Sequence, residues 1–344
     1  MPPIQSAGGT ACTRIEHIRH RLRAQGAKPC HAARVLQAWA RVLPVATRRR
    51  RAEDFLPLRV RALLLHLSAE LAGLARLRSE HPGADGSVRL LVELADGETV
   101  ESVLLPRGGL CVSTQVGCAV GCVFCMTGRG GLRRQLGSAE IVAQGALART
   151  RRAVERVVFM GMGEPAHNLA NVHEAIELLG TLGAIGHKDL VFSTVGDRRV
   201  FERLLQGSVK PALALSLHSS RAELRARLLP KAPRIAPEEL VERAEHYARA
   251  TGYPIQYQWT LLAGINDTDA ELDGIVRLLA GTYAMMNFIP YNANDGLGFS
   301  RPSWERAVAM ASHLQQRGIL TRLRNSAGQD IAGGCGQLRA RALA

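Results

Sequence analysis

Five short apolar segments recur between residues 157 and 291, and helix-length amphipathic stretches separate them. The segments read VVFMGMG, DLVFSTVG, PALALSLH, IQYQWTLL and MMNFIPY. Strands that alternate with helices predict βα units and therefore a parallel sheet. Glycine or polar residues stand at the carboxyl ends of these segments, where barrels of this kind build their active sites. Because there are too few strands for a closed eightfold barrel, we predict an α/β fold with an open, partial β/α barrel.

Two other patterns precede this repeat. Apolar residues at helical spacing in ARVLQAWARVL and VRALLLHLSAELAGLARL predict a small helical domain over residues 1–80. The segment SVRLLVELADGETVESVLLP alternates apolar and polar residues around Asp96 and Gly97, which predicts a β-hairpin within residues 85–110. Residues 111–344 then form the main α/β domain, and the hairpin leads directly into it.

The chain is strongly basic, with 44 Lys and Arg residues against 30 Asp and Glu residues and a net charge of +14. A polyanionic partner would explain this balance, and so would genome composition. The arginine run from Arg48 to Arg51 is either a solvated turn or an RNA contact. No signal peptide and no apolar run of bilayer length is visible, so we expect a cytoplasmic protein without a membrane partner.

Four of the seven cysteines lie between Cys111 and Cys125, a density that suits metal or redox chemistry better than structural disulfides. Cys118, Cys122 and Cys125 follow a C-x3-C-x2-C pattern. A structural zinc site would normally need four ligands, and no second cysteine pair lies nearby. An iron-sulfur cubane with three cysteine ligands leaves one iron open for another ligand. The pattern therefore predicts a catalytic 4Fe-4S cluster.

Further motifs accompany this triad in a set order. They are Cys111 before the triad and, after it, MGMGEP (160–165), STVG (193–196), SLH (216–218), IPYN (289–292), DI (330–331) and CGQL (335–338). Together the set resembles the radical S-adenosylmethionine RNA adenine methyltransferase family, the RlmN/Cfr group, over roughly residues 85 to 340. The resemblance is specific because the paired outlying cysteines, Cys111 and Cys335, are not a general feature of radical S-adenosylmethionine enzymes. It implies the partial barrel of that superfamily.

The resemblance also implies a reaction, the methylation of carbon 2 of an adenine in large-subunit ribosomal RNA and in some cases transfer RNA. This electron-poor carbon does not attack a sulfonium methyl group, so a radical route is needed. In the family, one S-adenosylmethionine methylates the cysteine that corresponds to Cys335, and a second yields the radical that activates this methyl group. Cys111 corresponds to the thiol that resolves the protein-RNA adduct through a transient disulfide with Cys335.

A proton acceptor must then remove the ring proton, and the resemblance gives this role to Glu101. From the residues alone, Glu93 and Glu98 are rivals of the same type, and any of the three could be an exposed strand glutamate.

The resemblance places the cofactor contacts at strand ends. Taken singly, His218 is more often a structural histidine and Asn292 a turn residue. Their order within the βα repeat supports a role in cofactor binding. The implied contacts are Gly163 and Glu164 toward the methionine amino group, Ser193, Ser216, Leu217 and His218 toward the carboxylate and ribose, and Asn292 toward the adenosine.

The family further implies RNA as partner, an electron donor such as flavodoxin and a monomeric enzyme. The helical segment over residues 1–80 matches the family only loosely, so the identity of the RNA is not predicted from it. The target adenine must leave its stack to reach a buried cluster. Cys12 and Cys30 belong to no motif and are interpreted as incidental.

Three alternatives stay open at this point. Methylation of carbon 8 would use the same cysteines. A non-catalytic RNA-binding factor with a structural cluster would need neither Cys111 nor Cys335. A radical enzyme that acts on a small molecule or peptide fits the basic charge poorly.

RNA binding is expected to weaken steeply as salt is added. Aromatic residues make up only 4% of the chain, and Trp39, Trp259 and Trp304 are scattered, so binding should rest on contacts between arginine and phosphate. Filter binding should show a loss on the order of a thousandfold between about 50 and about 200 mM salt. Affinity indifferent to salt would contradict this interpretation.

Overall fold

A mixed ten-stranded sheet with helices packed against it forms the centre of the structure. The structure is a computed structural model, and it describes residues 13–45, 56–294 and 296–340. Cys12 and the run from Arg48 to Arg51 lie outside these ranges. The strands assigned within them are β1 (Ala75–Pro82), β2 (Val88–Leu94), β3 (Thr99–Leu105), β4 (Gly109–Cys111), β5 (Gln115–Gly117), β6 (Leu132–Gln135), β7 (Arg156–Phe159), β8 (Leu190–Thr194), β9 (Ala212–Ser216), β10 (Ile255–Leu261), β11 (Ala284–Pro290) and β12 (Thr321–Leu323).

Helices alternate with the strands from β6 to β12, as the sequence repeat predicts. The helices of the described residues are α1 (Ile15–Ala24), α2 (Pro29–Arg41), α3 (Leu58–Gly73), α4 (Ser138–Arg149), α5 (Leu169–Thr181), α6 (Arg198–Gln206), α7 (Ala222–Leu228), α8 (Pro237–Thr251), α9 (Asp269–Leu279) and α10 (Trp304–Gln316).

The sheet order is β1-β2-β3-β4-β7-β8-β9-β10-β11-β12, and β5 and β6 form a separate two-stranded sheet. The strands from β4 through β7 to β12 run parallel, whereas β1 to β4 pair antiparallel. Among the described strands, β1 and β12 do not pair with each other, so the sheet is open. The predicted α/β fold with an open parallel sheet is confirmed.

The predicted hairpin is formed by β2 and β3 around Gly97, which has a φ of 84°. The boundary of the helical region is corrected, because α3 ends at Gly73 and β1 then pairs with β2. Residues along β1 alternate between more and less exposed positions, as expected at the edge of a sheet. The helical spacing of apolar residues in α3 continues into β1. This segment is nevertheless a strand, because it pairs with β2.

The two faces of the parallel strands differ in character. One face carries large buried side chains that pack under the helices, among them Trp259 and Phe288, whose rings meet edge to face at 6.4 Å. Strand register places Ser216, Gln258 and Asn287 side by side on the opposite face. This polar face lies opposite the apolar one, and it includes Ser216, one of the predicted cofactor contacts.

Within residues 13–45, 56–294 and 296–340, no helix combines the length and the apolar character that a membrane span requires.

Replacing Trp259 with alanine is expected to lower the free energy of unfolding by about 3–5 kcal/mol, because this side chain is fully buried. Trp304→Ala is the matched control, since Trp304 is 54% exposed, and its effect should stay within about 0.5 kcal/mol. Urea titration followed by circular dichroism measures both values. Equal losses in the two variants would contradict this assignment of the core.

Candidate active site

The three clustered cysteines lie on one loop that follows β5. A hydrogen bond of 3.0 Å from the amide of Cys118 to the carbonyl oxygen of Gly131 closes this loop against β6. Gly117 has a φ of 78°, and a Cβ at this position would overlap the same carbonyl oxygen. Only glycine fits here, so the chain can turn sharply into the loop. Cys122 and Cys125 follow within the loop, and all three thiols are half-buried.

The surroundings of these thiols indicate what they can bind. Burial raises the pKa of Cys118 to about 12 and that of Cys122 well above its ordinary value, and the neighbouring thiols add to both effects. Thiolates at these positions therefore need a bound cation to compensate their charge. Among the described residues, no three Cys, His, Asp or Glu side chains converge on a single ion site. A cubane binds each thiolate through a different iron, so the loop fits a three-cysteine cluster better than zinc.

Glu164 lies just beyond β7 and is buried. Its carboxylate accepts hydrogen bonds of 3.1 Å from the amides of Ala166 and Val195, which fixes it between two strand ends. Burial raises the pKa of Glu164 to about 7. Gly163 before it has a φ of 106°, and a Cβ there would lie 2.7 Å from Gln115. Glycine thus allows the motif to pack tightly against the strand that leads into the cysteine loop.

His218 follows β9 in the left-handed region, with a φ of 61° that side-chain-bearing residues rarely adopt. Two contacts hold it there, because the amide of Thr260 donates to its Nδ1 at 3.0 Å and Asn266 donates to its carbonyl oxygen at 2.8 Å. Burial lowers the pKa of His218 to about 3, and Arg225 lowers it further. The ring is therefore neutral with its proton on Nε2, next to the ring of Phe124 at 4.9 Å.

The other predicted cofactor contacts also lie at strand ends. Ser193 and Ser216 are half-buried near the carboxyl ends of β8 and β9. Leu217 is fully buried, and its amide donates a hydrogen bond of 3.1 Å to the carbonyl oxygen of Gln258. Asn292 lies beyond β11 and donates a hydrogen bond of 2.9 Å to the carbonyl oxygen of Cys335. Asn292 thus connects the strand ends to the C-terminal segment.

Cys111 and Cys335 lie near each other at this edge of the sheet. Cys111 ends β4 and is half-buried, and burial together with the nearby Cys335 thiol raises its pKa to about 12. Cys335 is exposed and also lies close enough to raise the pKa of Cys125. Every cysteine of the described residues is a free thiol, Cys30 included. The structure brings the two outlying cysteines together beside the cysteine loop, and it contains no disulfide between them.

Comparison with known proteins identifies the class of this site. The model of the radical SAM superfamily matches residues 112–279. A probable RNA methyltransferase from Aromatoleum aromaticum is 75% identical over 96% of this chain and 93% of its own length, and one from Pseudomonas aeruginosa is 69% identical over 96% of each chain. The crystal structure of a radical SAM methyltransferase from Sphaerobacter thermophilus matches with a TM-score of 0.83 and 33% identity, over 96% of this chain and 99% of that one.

The chain belongs to the radical SAM methyltransferase family. Membership in this family implies an iron-sulfur cluster and S-adenosylmethionine as cofactors. The residues described above fit both groups. The half-buried thiols would hold the cluster, and the strand-end residues around Glu164 and His218 surround the adjacent space.

The sequence analysis missed two buried cations of this radical SAM methyltransferase, Arg225 and Arg89. Arg225 on α7 is buried and donates hydrogen bonds to the carbonyl oxygens of Val195 and Ser216. Burial lowers the pKa of Arg225 to about 10, while nearby Cys122 and Glu164 oppose this shift. Its helix, AELRARL, carries several charged residues, a composition typical of a solvent-exposed helix.

Glu101 and Val103 lie on the same face of β3. Val103 pairs with Cys111 on the neighbouring strand β4. The side chain of Glu101 is 0% exposed and forms an ion pair with Arg89. The amides of Arg339 and Ala340 donate to its Oε2 at 2.7 and 3.0 Å. Both carboxylate oxygens are therefore engaged while the C-terminal segment is docked.

The rival carboxylates lie elsewhere on the hairpin. Glu98 forms an ion pair of 2.6 Å with Arg133 near the surface, and Glu93 is half-buried on β2. Neither has the pair of backbone donors that Glu101 has from the Cys335 segment.

The affinity for S-adenosylmethionine is expected to fall about tenfold from pH 8 to pH 6. With a raised pKa of about 7, the Glu164 carboxyl gains a proton across this range, so the negative charge that the family resemblance predicts for contact with the methionine amino group is lost. Equilibrium binding to the cluster-reconstituted protein measures the effect. Glu164→Gln should bind weakly at both pH values, whereas the surface variant Glu239→Gln should behave as wild type. An equal pH dependence in Glu164→Gln would assign the titration to another group.

Proposed function

We propose that this enzyme methylates carbon 2 of an adenine in RNA, with large-subunit ribosomal RNA as the first candidate substrate and transfer RNA as the second. One observation carries the proposal: the exposed Cys335 thiol lies near Cys111, and its segment is hydrogen-bonded to the residue that follows Cys125 of the cysteine loop. A methyltransferase that transfers the methyl group directly from S-adenosylmethionine needs neither outlying thiol. The pair therefore favours a reaction with a protein-bound methyl group.

RNA as substrate has two independent supports. Relatives at 69–75% identity carry the name probable RNA methyltransferase, and they match 96% of this chain. The chain also has a net charge of +14, which favours a polyanionic partner. We place the reaction in the cytoplasm, in a monomer that receives electrons from a flavodoxin-type donor.

When bound, the cluster and S-adenosylmethionine supply the methyl group and the radical chemistry. The Cys335 sulfur carries the methyl group to the base, and its exposure lets a flipped base approach. The Cys111 sulfur then bonds to the Cys335 sulfur while the bond between the Cys335 sulfur and the transferred carbon breaks. That carbon keeps the electron pair and takes a proton, which gives the methyl group of the released base. Burial keeps the Cys111 thiol protonated until that step.

The remaining side chains bind and orient. Glu164 and the Gly163 backbone hold the methionine amino group, and the neutral His218 donates from Nε2. Asn292 fixes the backbone of Cys335. Glu101 accepts the ring proton only after the C-terminal segment has moved, because both of its oxygens are engaged here.

A purely structural cluster protein is disfavoured because it would need no pair of neighbouring thiols. Carbon 8 of adenine would use the same residues, so the product must be identified directly.

Cys335→Ala is expected to abolish methylation while leaving the cluster intact. Cluster-reconstituted enzyme is incubated anaerobically with S-adenosylmethionine, a reductant and deproteinised ribosomal RNA, and the digested RNA is analysed by mass spectrometry. Wild type should yield 2-methyladenosine, Cys335→Ala none, and the control Cys30→Ala the wild-type amount, since Cys30 is exposed on α2. Detection of 8-methyladenosine would instead identify carbon 8 as the methylated position. Cofactor cleavage without any methylated RNA would contradict an RNA substrate.

A further inference from the structure

Residues that follow the cysteine loop and β11 donate hydrogen bonds to the segment that carries Cys335. The amide of Met126, directly after the cysteine loop, donates to the carbonyl oxygen of Gly336 at 2.8 Å. Thr127 donates to the carbonyl oxygen of Leu338 at 2.7 Å, and Asn292 donates to that of Cys335 at 2.9 Å. These contacts bind the segment through its carbonyl groups.

The hairpin region binds the same segment from the opposite side. At the turn between β1 and β2, Asp85 accepts a hydrogen bond of 2.9 Å from the amide of Gly328. Asp330 accepts a hydrogen bond of 2.9 Å from the amide of Ala84. The turn and the segment thus each donate an amide to a carboxylate of the other. The turn therefore fixes the beginning of the segment.

Glu101 fixes its end. The Oε2 atom accepts hydrogen bonds from two consecutive amides, those of Arg339 and Ala340, and the ion pair with Arg89 lies beneath it. The side chains of Arg89 and Glu101 are 1% and 0% exposed. Charge-assisted hydrogen bonds to a buried carboxylate are stronger than bonds between neutral groups. Thirteen residues from 328 to 340 are thus bound at both ends, with Cys335 between them.

We propose that Glu101 is a positioning residue that anchors the end of the Cys335 segment to the hairpin and so holds the Cys335 thiol in place beside the cysteine loop. The anchoring uses the same carboxylate oxygens that proton acceptance from RNA would use. The two roles therefore belong to different stages, and the segment releases Glu101 before the ring proton is taken. The proposal rests on the proposed function only for the identity of Cys335 as the methyl carrier.

Two variants separate anchoring from proton acceptance. Glu101→Asp keeps a carboxylate but withdraws it by one methylene from the two amides. The double variant Arg89→Met with Glu101→Gln removes both charges, which avoids an unpaired buried ion, and keeps an amide oxygen at the original length. Glu98→Gln is the matched control, because it breaks a surface ion pair on the same hairpin.

The first measurement is hydrogen exchange of the peptide over residues 336–340 in the cluster-reconstituted protein. Anchoring predicts exchange that is faster by roughly tenfold or more in Glu101→Asp. The double variant keeps an acceptor at the original length but loses the charge, so its exchange should be faster by a smaller factor, and Glu98→Gln should exchange as wild type. Unchanged exchange in Glu101→Asp would overturn the proposal.

The second measurement is methyl loading of Cys335 from S-adenosylmethionine without RNA, followed by the intact mass of the protein. No ring proton is removed in this step, so a residue that acts only as proton acceptor would leave its rate unchanged. Anchoring predicts slower loading in Glu101→Asp and substantial loading in the double variant. An equal rate in all variants would refute anchoring, whereas absent loading in wild type would refute the proposed function and leave the exchange result standing.

Should both Glu101 variants fail to fold, Asp330→Ala tests the other end of the segment at an exposed position. Faster exchange over residues 328–340 and slower loading support anchoring by the hairpin region, and unchanged values overturn it.

Discussion

Parallel strands place their carboxyl ends at one edge of the sheet, and the position of the cofactor-contact residues depends on this constraint. Glu164, His218 and Asn292 lie far apart in sequence, yet each directly follows a strand of the parallel set. The cysteine loop leaves the sheet at the same edge, after β4 and β5. Sheet pairing therefore brings the thiols and the cofactor-contact residues together without any long-range motif in the sequence.

Burial sets the electrostatics of this edge. The carboxyl of Glu164 has a pKa of about 7, the ring of His218 stays neutral, and the thiol of Cys111 stays protonated. Arg225 is a buried cation between the cysteine loop and Glu164. A site with few fixed charges is suited to cofactors that bring their own charge, as a cluster and a sulfonium do.

The C-terminal segment completes the site, since the thiol that lies near Cys111 does not come from the βα repeat. It is held on one side by residues that follow the cysteine loop and on the other by the antiparallel hairpin. The hairpin is thus more than a connection into the α/β domain. Its strand β3 pairs with β4, which ends at Cys111, and supplies a buried carboxylate for the segment.

Local patterns predicted the strands of the βα repeat, the hairpin around Gly97 and the cysteine loop, because spacing, turn residues and apolar runs act over a few residues. They could not predict β1, which continues an apolar pattern of helical spacing, or the burial of Arg225 in a charged helix. The sequence by itself determined which groups the site contains and their order along the strands. Only the tertiary structure decided that Glu101 meets residues more than two hundred positions away, because that contact depends on where the segment after β12 crosses the sheet.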